Sequence, residues 1–154
     1  MSEPRFKRRK EQRPGEIADA AFEVFAEKGY DGARVDDVAR RAGVSKGLLY
    51  LYFKTTEELF KAVIKRVVMA RLDSLLVAVE ETELSSEAFI RGPLAGFMKR
   101  VPGSPVAVVI RLLISEGHKH PDLVDYYMEN VVSRGLGAIT RFVERGIERG
   151  EFRH

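Results

Sequence analysis

Apolar residues recur every three or four positions along almost the whole chain, and no segment alternates apolar with polar residues over the length of a strand. A spacing of three to four places side chains on one face of an α-helix, whereas a half-buried strand needs a period of two. The pattern therefore predicts an all-α protein. The first helix is expected to begin near Pro14 and to end at Gly29, which supplies its C-cap.

The fourth predicted helix is the longest. Thr55 and Glu58 have the spacing of a capping box, which satisfies backbone N–H groups at the start of a helix. Apolar pairs then continue as far as Val79 on two sides of the helix. This helix is expected to tie an N-terminal domain to the rest of the chain.

The next predicted helix contains a proline. It begins at Ser85 or Ser86 and runs through Gly92-Pro93. Because proline lacks the backbone N–H and its ring clashes with the preceding turn, we expect a kink or a break there.

Two more helices are predicted after a loop that ends with an N-cap serine and Pro105. Residues 106–114 are apolar except for Arg111, so this helix is expected to be buried on most sides. The last helix is predicted to end just before Gly150.

Residues 35–54 carry the most specific signal in the chain, because their spacing is that of a helix-turn-helix. Ala39 is small at the point where two short helices would cross. Gly43 follows four residues later, where a left-handed C-cap favours glycine. Ser45 is a good N-cap for the second helix, whose free N–H groups attract a phosphate.

The two helices of this motif have distinct inner and outer sides. The positions expected to face inward are Val35, Val38, Ala42, Val44 and Leu49. The positions expected to project towards a DNA major groove are Lys46, Gly47, Tyr50, Leu51 and Lys54.

The sequence around the motif carries further matching elements. They are the segments 25–32 and 35–47, Tyr50-Leu51-Tyr52-Phe53, and Glu57-Glu58-Leu59-Phe60. Together they resemble the N-terminal DNA-binding domain of the TetR family of bacterial transcriptional regulators, over roughly residues 14–65. Residues 111–118 and 145–152 resemble, less closely, the ligand-binding region of that family.

The resemblance implies a three-helix DNA-binding domain joined by a long fourth helix to a C-terminal helical domain for ligand binding and dimerisation. We expect a basic flexible arm over residues 1–13, the helix-turn-helix domain over 14–54 and the regulatory domain over 55–154. TetR-like proteins usually continue into two more helices that build a four-helix dimer interface, and this regulatory domain is expected to lack them.

Two positions depart from the family pattern. Arg34 stands where many members have Ser or Thr, so a helix cap is exchanged for a possible phosphate contact. Thr56 stands where many have lysine, and Lys54 is expected to take over that contact. The residues expected to contact DNA are Arg34, Ser45, Lys46, Gly47, Tyr50, Leu51, Tyr52, Lys54, Thr55 and Thr56.

The net charge of +3 is unevenly distributed. Residues 1–54 carry 12 Lys/Arg against 9 Asp/Glu, whereas residues 55–154 carry 14 of each. The basic segment Arg5 to Lys10 is either a solvated tail or an arm that follows DNA phosphates, and the neighbouring motif favours the arm.

Composition limits the other classes of protein. With 45% hydrophobic residues the chain can form a substantial core, and without cysteine it has no disulfide or thiolate chemistry. It has no apolar run as long as a membrane span and no secretory signal. A soluble, cytoplasmic protein that does not use a membrane is therefore expected.

No pattern of residues indicates catalysis. His118 and His120 would diverge on a helix, so no metal site is expected. The sequence also lacks a recognisable acid pair, a nucleophile motif and a glycine loop for phosphate. We expect neither an enzyme nor a cofactor.

Aromatic and methionine residues of the second half are core residues or walls of a ligand pocket. Members of the TetR family bind small, often hydrophobic molecules among their later helices, which favours a pocket. Arg111 is expected to pair with Glu116 or Glu87, with an anionic ligand as the alternative. The residues expected to line the pocket are Phe97, Ile110, Arg111, Ile114, Tyr127 and Met128.

The leading hypothesis is a homodimeric repressor that binds a double-stranded DNA operator and is released by a small hydrophobic molecule. The alternative is an all-helical module that no longer reads DNA and binds a protein or lipid partner. Retention of Lys46, Tyr50, Tyr52 and Lys54 argues for the first.

Overall fold

The computed structural model describes the backbone of residues 5–153 and the side chains of residues 10–153. Over this range the chain is helical and contains no strand, which confirms the predicted all-α class. The α-helices within the described backbone are α1 (Arg5–Gly32), α2 (Val35–Ala42), α3 (Lys46–Tyr52), α4 (Thr56–Val63), α5 (Ala70–Glu81), α6 (Ser86–Phe89), α7 (Ala95–Arg100), α8 (Pro105–Glu116), α9 (Pro121–Tyr127) and α10 (Ser133–Glu148). Three π-helical segments continue α4, α6 and α9, namely Ile64–Met69, Ile90–Leu94 and Met128–Val132.

The first helix begins earlier than predicted. It starts at Arg5 and contains Pro14, so residues 5–13 of the expected flexible arm are helical. The prediction was wrong because one proline removes a single backbone hydrogen bond, and the residues before it are mostly good helix formers. Residues 1–4 of the arm lie outside the described residues.

Gly29 interrupts α1 as predicted. Its φ of 72° is in the left-handed region, and regular helix ends there although helical turns resume as far as Gly32. Glycine adopts this conformation without the steric cost that other residues meet.

The first of two compact units ends at Arg66 and contains α1 to α4. Its centre is an aromatic cluster of Phe25, Tyr30 and Phe60. The Phe25 and Phe60 rings meet edge to face with centroids 5.1 Å apart. Because Phe60 of α4 packs on α1 in this way, the domain boundary predicted after residue 54 is too early.

The predicted long fourth helix is continuous from Thr56 to Glu81, but it is not uniform. α4, the π-helical segment Ile64–Met69 and α5 follow one another directly, and the second unit begins at Val67 within that segment. Apolar spacing predicts continuity of a helix but does not distinguish an α-turn from the wider π-turn.

The second unit confirms the predicted start of the proline-containing helix. Ser85 is its N-cap, and the Ser85 Oγ accepts a hydrogen bond from the N–H of Ala88 at 3.2 Å. The chain does not break at Pro93. It passes through the π-helical segment Ile90–Leu94 into α7, and such a bulge is a common way for a helix to accommodate a distortion.

α8 is less buried than predicted. Val106 and Val109 are buried, but the side chain of Ile114 is 78% exposed and Arg111 is also exposed. Apolar composition shows that burial would be favourable, whereas the neighbouring elements decide which sides are covered. Ser104 is at the N-cap position of α8 and Pro105 is its first residue, as predicted. The Ser104 hydroxyl, however, donates to the carbonyl of Val101 at 2.8 Å and makes no cap bond.

α5 and α10 run parallel in the second unit and are joined by charged side chains. Arg134 on α10 pairs with Asp73 on α5, and Arg141 pairs with Glu80 at 3.1 Å.

Among the described residues no helix is long and apolar enough to cross a membrane.

The C-terminal turn folds back onto the second unit. Gly150 has a φ of 72° and ends the helix where predicted. The Phe152 ring then packs against Phe142 and over Gly146, where an added Cβ would clash with the ring. The Glu151 carboxylate accepts hydrogen bonds from the Ser86 Oγ at 2.5 Å and the Ser86 N–H at 2.9 Å. These two bonds lower the pKa of Glu151.

Candidate nucleic-acid interface

The turn between α2 and α3 has the geometry predicted from its residues. Gly43 adopts φ 67° and ψ 33°, the left-handed conformation, and its N–H donates to the carbonyl of Arg40. The N–H of Val44 donates to the carbonyl of Ala39 at 3.0 Å. These bonds satisfy carbonyls at the end of α2 and fix the direction in which the chain leaves it.

Ser45 begins α3 as predicted. Its Oγ accepts a hydrogen bond from the N–H of Leu48 at 3.1 Å. The opposite arrangement holds at α2, where Arg34 is at the N-cap position and makes no side-chain cap bond. Asp36 and Asp37 in the first turn of α2 instead place negative charge near the helix N-terminus.

One side of the motif is buried in the first unit. Val38 and Leu49 are fully buried, and Ala39 is nearly so. Val35, Ala42 and Val44 are half-buried. The inward positions therefore fix how α3 is presented.

The other side of α3 is accessible. Leu51 is 78% exposed, although it is a large apolar residue on a helix of a well-packed unit. The remaining outward positions predicted from the sequence are also exposed, namely Lys46, Gly47, Tyr50 and Lys54. Tyr52, in contrast, is half-buried.

The start of α4 is held by a reciprocal pair of bonds. The Thr55 Oγ1 accepts from the N–H of Glu58 at 3.1 Å, and the Glu58 carboxylate accepts from the N–H of Lys54 at 2.6 Å. The predicted capping box is confirmed, with the return bond going to Lys54 rather than to Thr55. Thr56 is the first helical residue and is half-buried.

Several ion pairs join α2 to α1. The Arg41 guanidinium donates to both carboxylate oxygens of Glu27, at 2.9 and 2.8 Å, and to Glu23 at 3.0 Å. Its hydrogen bond lowers the pKa of Glu27, and the two carboxylates raise the pKa of Arg41. Lys28 pairs with Asp37 at 3.2 Å and lowers the pKa of that carboxyl.

A second kind of ion pair lies on the accessible side. The Lys46 Nζ lies 2.9 Å from the Asp36 carboxylate and 5.9 Å from the centroid of the Tyr50 ring. The hydrogen bond from Lys46 to Asp36 raises the pKa of the lysine. Sequence spacing did not identify Asp36, because the two residues are on different helices and only the turn brings them together.

The six residues predicted to line a ligand pocket lie in the second unit and differ in burial. Phe97, Ile110 and Tyr127 are half-buried, and burial raises the pKa of Tyr127. The other three, Arg111, Ile114 and Met128, are exposed.

Two open grooves described in this unit are lined by other residues. One of about 620 Å³ lies beside Ser85 and Phe152, and one of about 500 Å³ lies between α5 and α10. None of the six predicted pocket residues lines either groove.

The prediction that Arg111 pairs with Glu116 or Glu87 is wrong. Glu116 pairs with Lys119 at 3.3 Å, and Glu87 pairs with Arg91 at 2.8 Å. Both partners lie three or four residues away on the same stretch of chain, where contact costs little chain entropy. Arg111 is exposed and can be hydrated, so it does not need a carboxylate.

Residues 17–63 match the sequence profile of the bacterial regulatory proteins of the tetR family. The N-terminal part of this chain is therefore a TetR-family DNA-binding domain, whose helix-turn-helix is formed by α2 and α3. The chain is a DNA-binding transcriptional regulator.

Other proteins are similar to this chain over both of its units. The HTH-type transcriptional regulator YfiR of Bacillus subtilis is 28% identical over 153 residues, which cover 99% of this chain and 74% of YfiR. The structure of the fatty acid degradation regulator FadR from Bacillus halodurans aligns with a TM-score of 0.73 at 26% identity, over 91% of this chain and 70% of FadR. FadR from Bacillus subtilis, solved in complex with stearoyl-CoA, aligns with a TM-score of 0.66 at 25% identity, over 91% and 74%.

Proposed function

We propose that this regulator is a repressor that binds a double-stranded DNA operator as a homodimer and leaves it when a small hydrophobic molecule binds. The observation that carries the proposal is the accessible side of α3. Buried Val38 and Leu49 hold the helix from behind, whereas a row of polar, aromatic and apolar side chains faces outward. An α-helix presented in this way fits the major groove of DNA.

The outward residues have two roles in this proposal. Lys46, Tyr50 and Leu51 reach base edges, and Gly47 lets the backbone of α3 approach the DNA closely. Arg34, Ser45, Lys54, Thr55 and Thr56 contact phosphates, and Tyr52 supports the end of the helix. The Ser45 oxygen already accepts a hydrogen bond, so its hydroxyl proton is available for a phosphate.

A titration against DNA tests the proposal. Labelled duplexes from the regions flanking the gene of this protein, together with duplexes selected from a randomised library, are bound at several salt concentrations. Replacement of Lys54 by Ala is expected to weaken binding and to reduce the slope of log K against log salt by about 0.9, the value for one lost phosphate contact. Replacement of Lys99 by Ala, on α7 of the second unit, removes the same charge away from α3 and should leave the slope unchanged.

One result of this titration would contradict the proposal. If the folded protein selects no sequence from the library and binds no flanking duplex, it does not act as a DNA regulator. The module that binds a protein or lipid partner would then be favoured.

An exposed apolar surface on α10 could form the contact between two copies of the chain. α10 exposes Leu136, Ile139 and Val143, at spacings of three and four residues that form one stripe along a helix. Pairing of two copies would cover this stripe. In the proposed homodimer two α3 helices enter successive major grooves about 34 Å apart.

For the releasing ligand, the complex of Bacillus subtilis FadR suggests long-chain acyl-CoA as the first probe. The half-buried Phe97, Ile110 and Tyr127 are proposed to contact the acyl chain, with Arg111, Ile114 and Met128 nearer to solvent. Stearoyl-CoA should raise the melting temperature and weaken DNA binding, whereas coenzyme A alone should do neither. If stearoyl-CoA changes neither measurement in a protein that binds DNA, the ligand is of another class.

A further inference from the structure

Asp36 lies beside a lysine that is proposed to contact DNA. Its carboxylate accepts from the Lys46 Nζ at 2.9 Å, and the same ammonium lies over the Tyr50 ring. Asp36 belongs to the first turn of α2 and Lys46 to the first turn of α3, so the contact spans the helix-turn-helix.

The packing of the motif does not require this ion pair. The side chains of Lys46 and Asp36 are 56% and 55% exposed, and pairs this accessible contribute little to stability. The neighbouring Asp37 is different. Its side chain is only 16% exposed and pairs with Lys28 of α1, so it belongs to the contacts that hold the two helices together.

A carboxylate at this position has a cost for binding DNA. It repels phosphates, and Lys46 must leave it before the ammonium can bind a phosphate fully. Lys54 has no such competitor, because no ion pair joins its ammonium to another residue in the described part of the chain.

We propose that Asp36 is a specificity-determining residue that positions Lys46 along α3, beside Tyr50, and withholds it from phosphate. Contacts to phosphate strengthen binding to every sequence equally, whereas contacts to base edges discriminate between sequences. An acid that restrains Lys46 therefore weakens non-specific binding more than binding to the correct site. This inference rests on the proposed binding of DNA through α3.

The test compares Asp36→Asn with the parent on two kinds of duplex, one of random sequence and one selected from a randomised library by the parent protein. On random DNA at low salt, Asp36→Asn is expected to bind about two- to fivefold more tightly, the range for release of an exposed ion pair. Its slope of log K against log salt should steepen by up to about 0.9. On the selected duplex the gain should be smaller, so the ratio of specific to non-specific affinity falls.

Three variants serve as controls. Asp36→Glu keeps the charge and should restore the parental ratio. Asp37→Asn changes the net charge equally one residue away and should leave the ratio unchanged, because Asp37 pairs with α1. In a Lys46→Ala background, Asp36→Asn should lose its effect on the ratio, because the lysine through which it acts is gone.

Two outcomes would overturn the inference while DNA binding itself stands. Equal tightening on both duplexes would make Asp36 a general repulsive charge. A loss of binding to the selected duplex that persists in the Lys46→Ala background would mean that Asp36 contacts a base directly. If the parent selects no sequence at all, the proposed function fails first.

Discussion

At the scale of single residues, two glycines of the helix-turn-helix have opposite reasons to be glycine. Gly43 has a φ of 67°, so its backbone conformation excludes ordinary side chains. Gly47 is in regular helix, and a Cβ added there would meet nothing within 4 Å in the described part of the chain. The fold therefore requires the first glycine but not the second.

Replacement of Gly43 by Val is expected to destabilise the protein by about 1–2 kcal/mol, because a β-branched side chain is strained in the left-handed region. Thermal and urea unfolding followed by circular dichroism measure the loss. A variant that melts like the parent would show that the turn does not depend on this conformation.

Replacement of Gly47 by Ala should have the opposite effect on stability. Alanine is favoured over glycine in a helix by about 1 kcal/mol, so the variant should melt at the same temperature as the parent or higher. If the backbone of α3 approaches DNA closely at this position, operator binding should nevertheless fall. Unchanged affinity in a stabilised variant would remove Gly47 from the proposed interface.

At the scale of elements, the orientation of α2 on α1 depends on charged groups as well as on the apolar core. Arg41 joins two carboxylates of α1, and Lys28 of α1 joins Asp37 of α2. The exposed parts of these pairs are screened by water, so each contributes modestly. Together these pairs fix contacts between α1 and α2, and α3 is joined to α2 by the hydrogen-bonded turn at Gly43.

The pH dependence of stability should reflect this contact. The pKa of Glu27 is lowered in the folded state, so between its folded and unfolded values the folded protein binds fewer protons. The stabilisation that the Glu27–Arg41 pair contributes is fully present above about pH 4.3, the ordinary glutamate pKa. It is lost as the pH falls through the lower pKa that Glu27 has in the folded protein. Glu27→Gln should therefore show a shallower loss of melting temperature in acid than the parent. Glu16→Gln, which removes only a 3.9 Å contact with Arg13, should follow the parent, and an identical response of both variants would contradict the role of Glu27.

At the scale of the whole molecule, the exposed stripe on α10 bears on the proposed dimer. Leu136 and Ile139 are 59% and 60% exposed, and they lie on the same side of the helix as Val143. An apolar stripe of this kind is a typical surface for pairing with another helix.

Leu136→Lys is expected to shift the protein from dimer to monomer, because a charge would be buried in the proposed interface. Sedimentation velocity measures the change, and operator affinity should fall with it because two linked recognition helices become separate. Met98→Lys, an equally accessible apolar position on α7, is the matched control and should remain dimeric. A parent that sediments as a monomer on DNA and off it would contradict the dimer.

The sequence by itself determined the features that depend on neighbours along the chain. The left-handed Gly43, the caps made by Ser45, Thr55 and Ser85, and the all-α class all follow from spacings of a few residues. Such features are local because a side chain reaches a backbone group within one turn of helix, and no distant element is needed.

Only the tertiary structure decided which distant groups meet and which apolar surfaces are covered. The pairing of Lys46 with Asp36 requires the turn to bring two helices together, and Arg41 meets Glu23 and Glu27 only because α2 packs on α1. Ile114 is apolar yet exposed for the same reason, since burial depends on the elements that surround a helix. The chemistry of a charged or apolar side chain determines which contact is favourable, but the packing of the chain determines whether that contact is made.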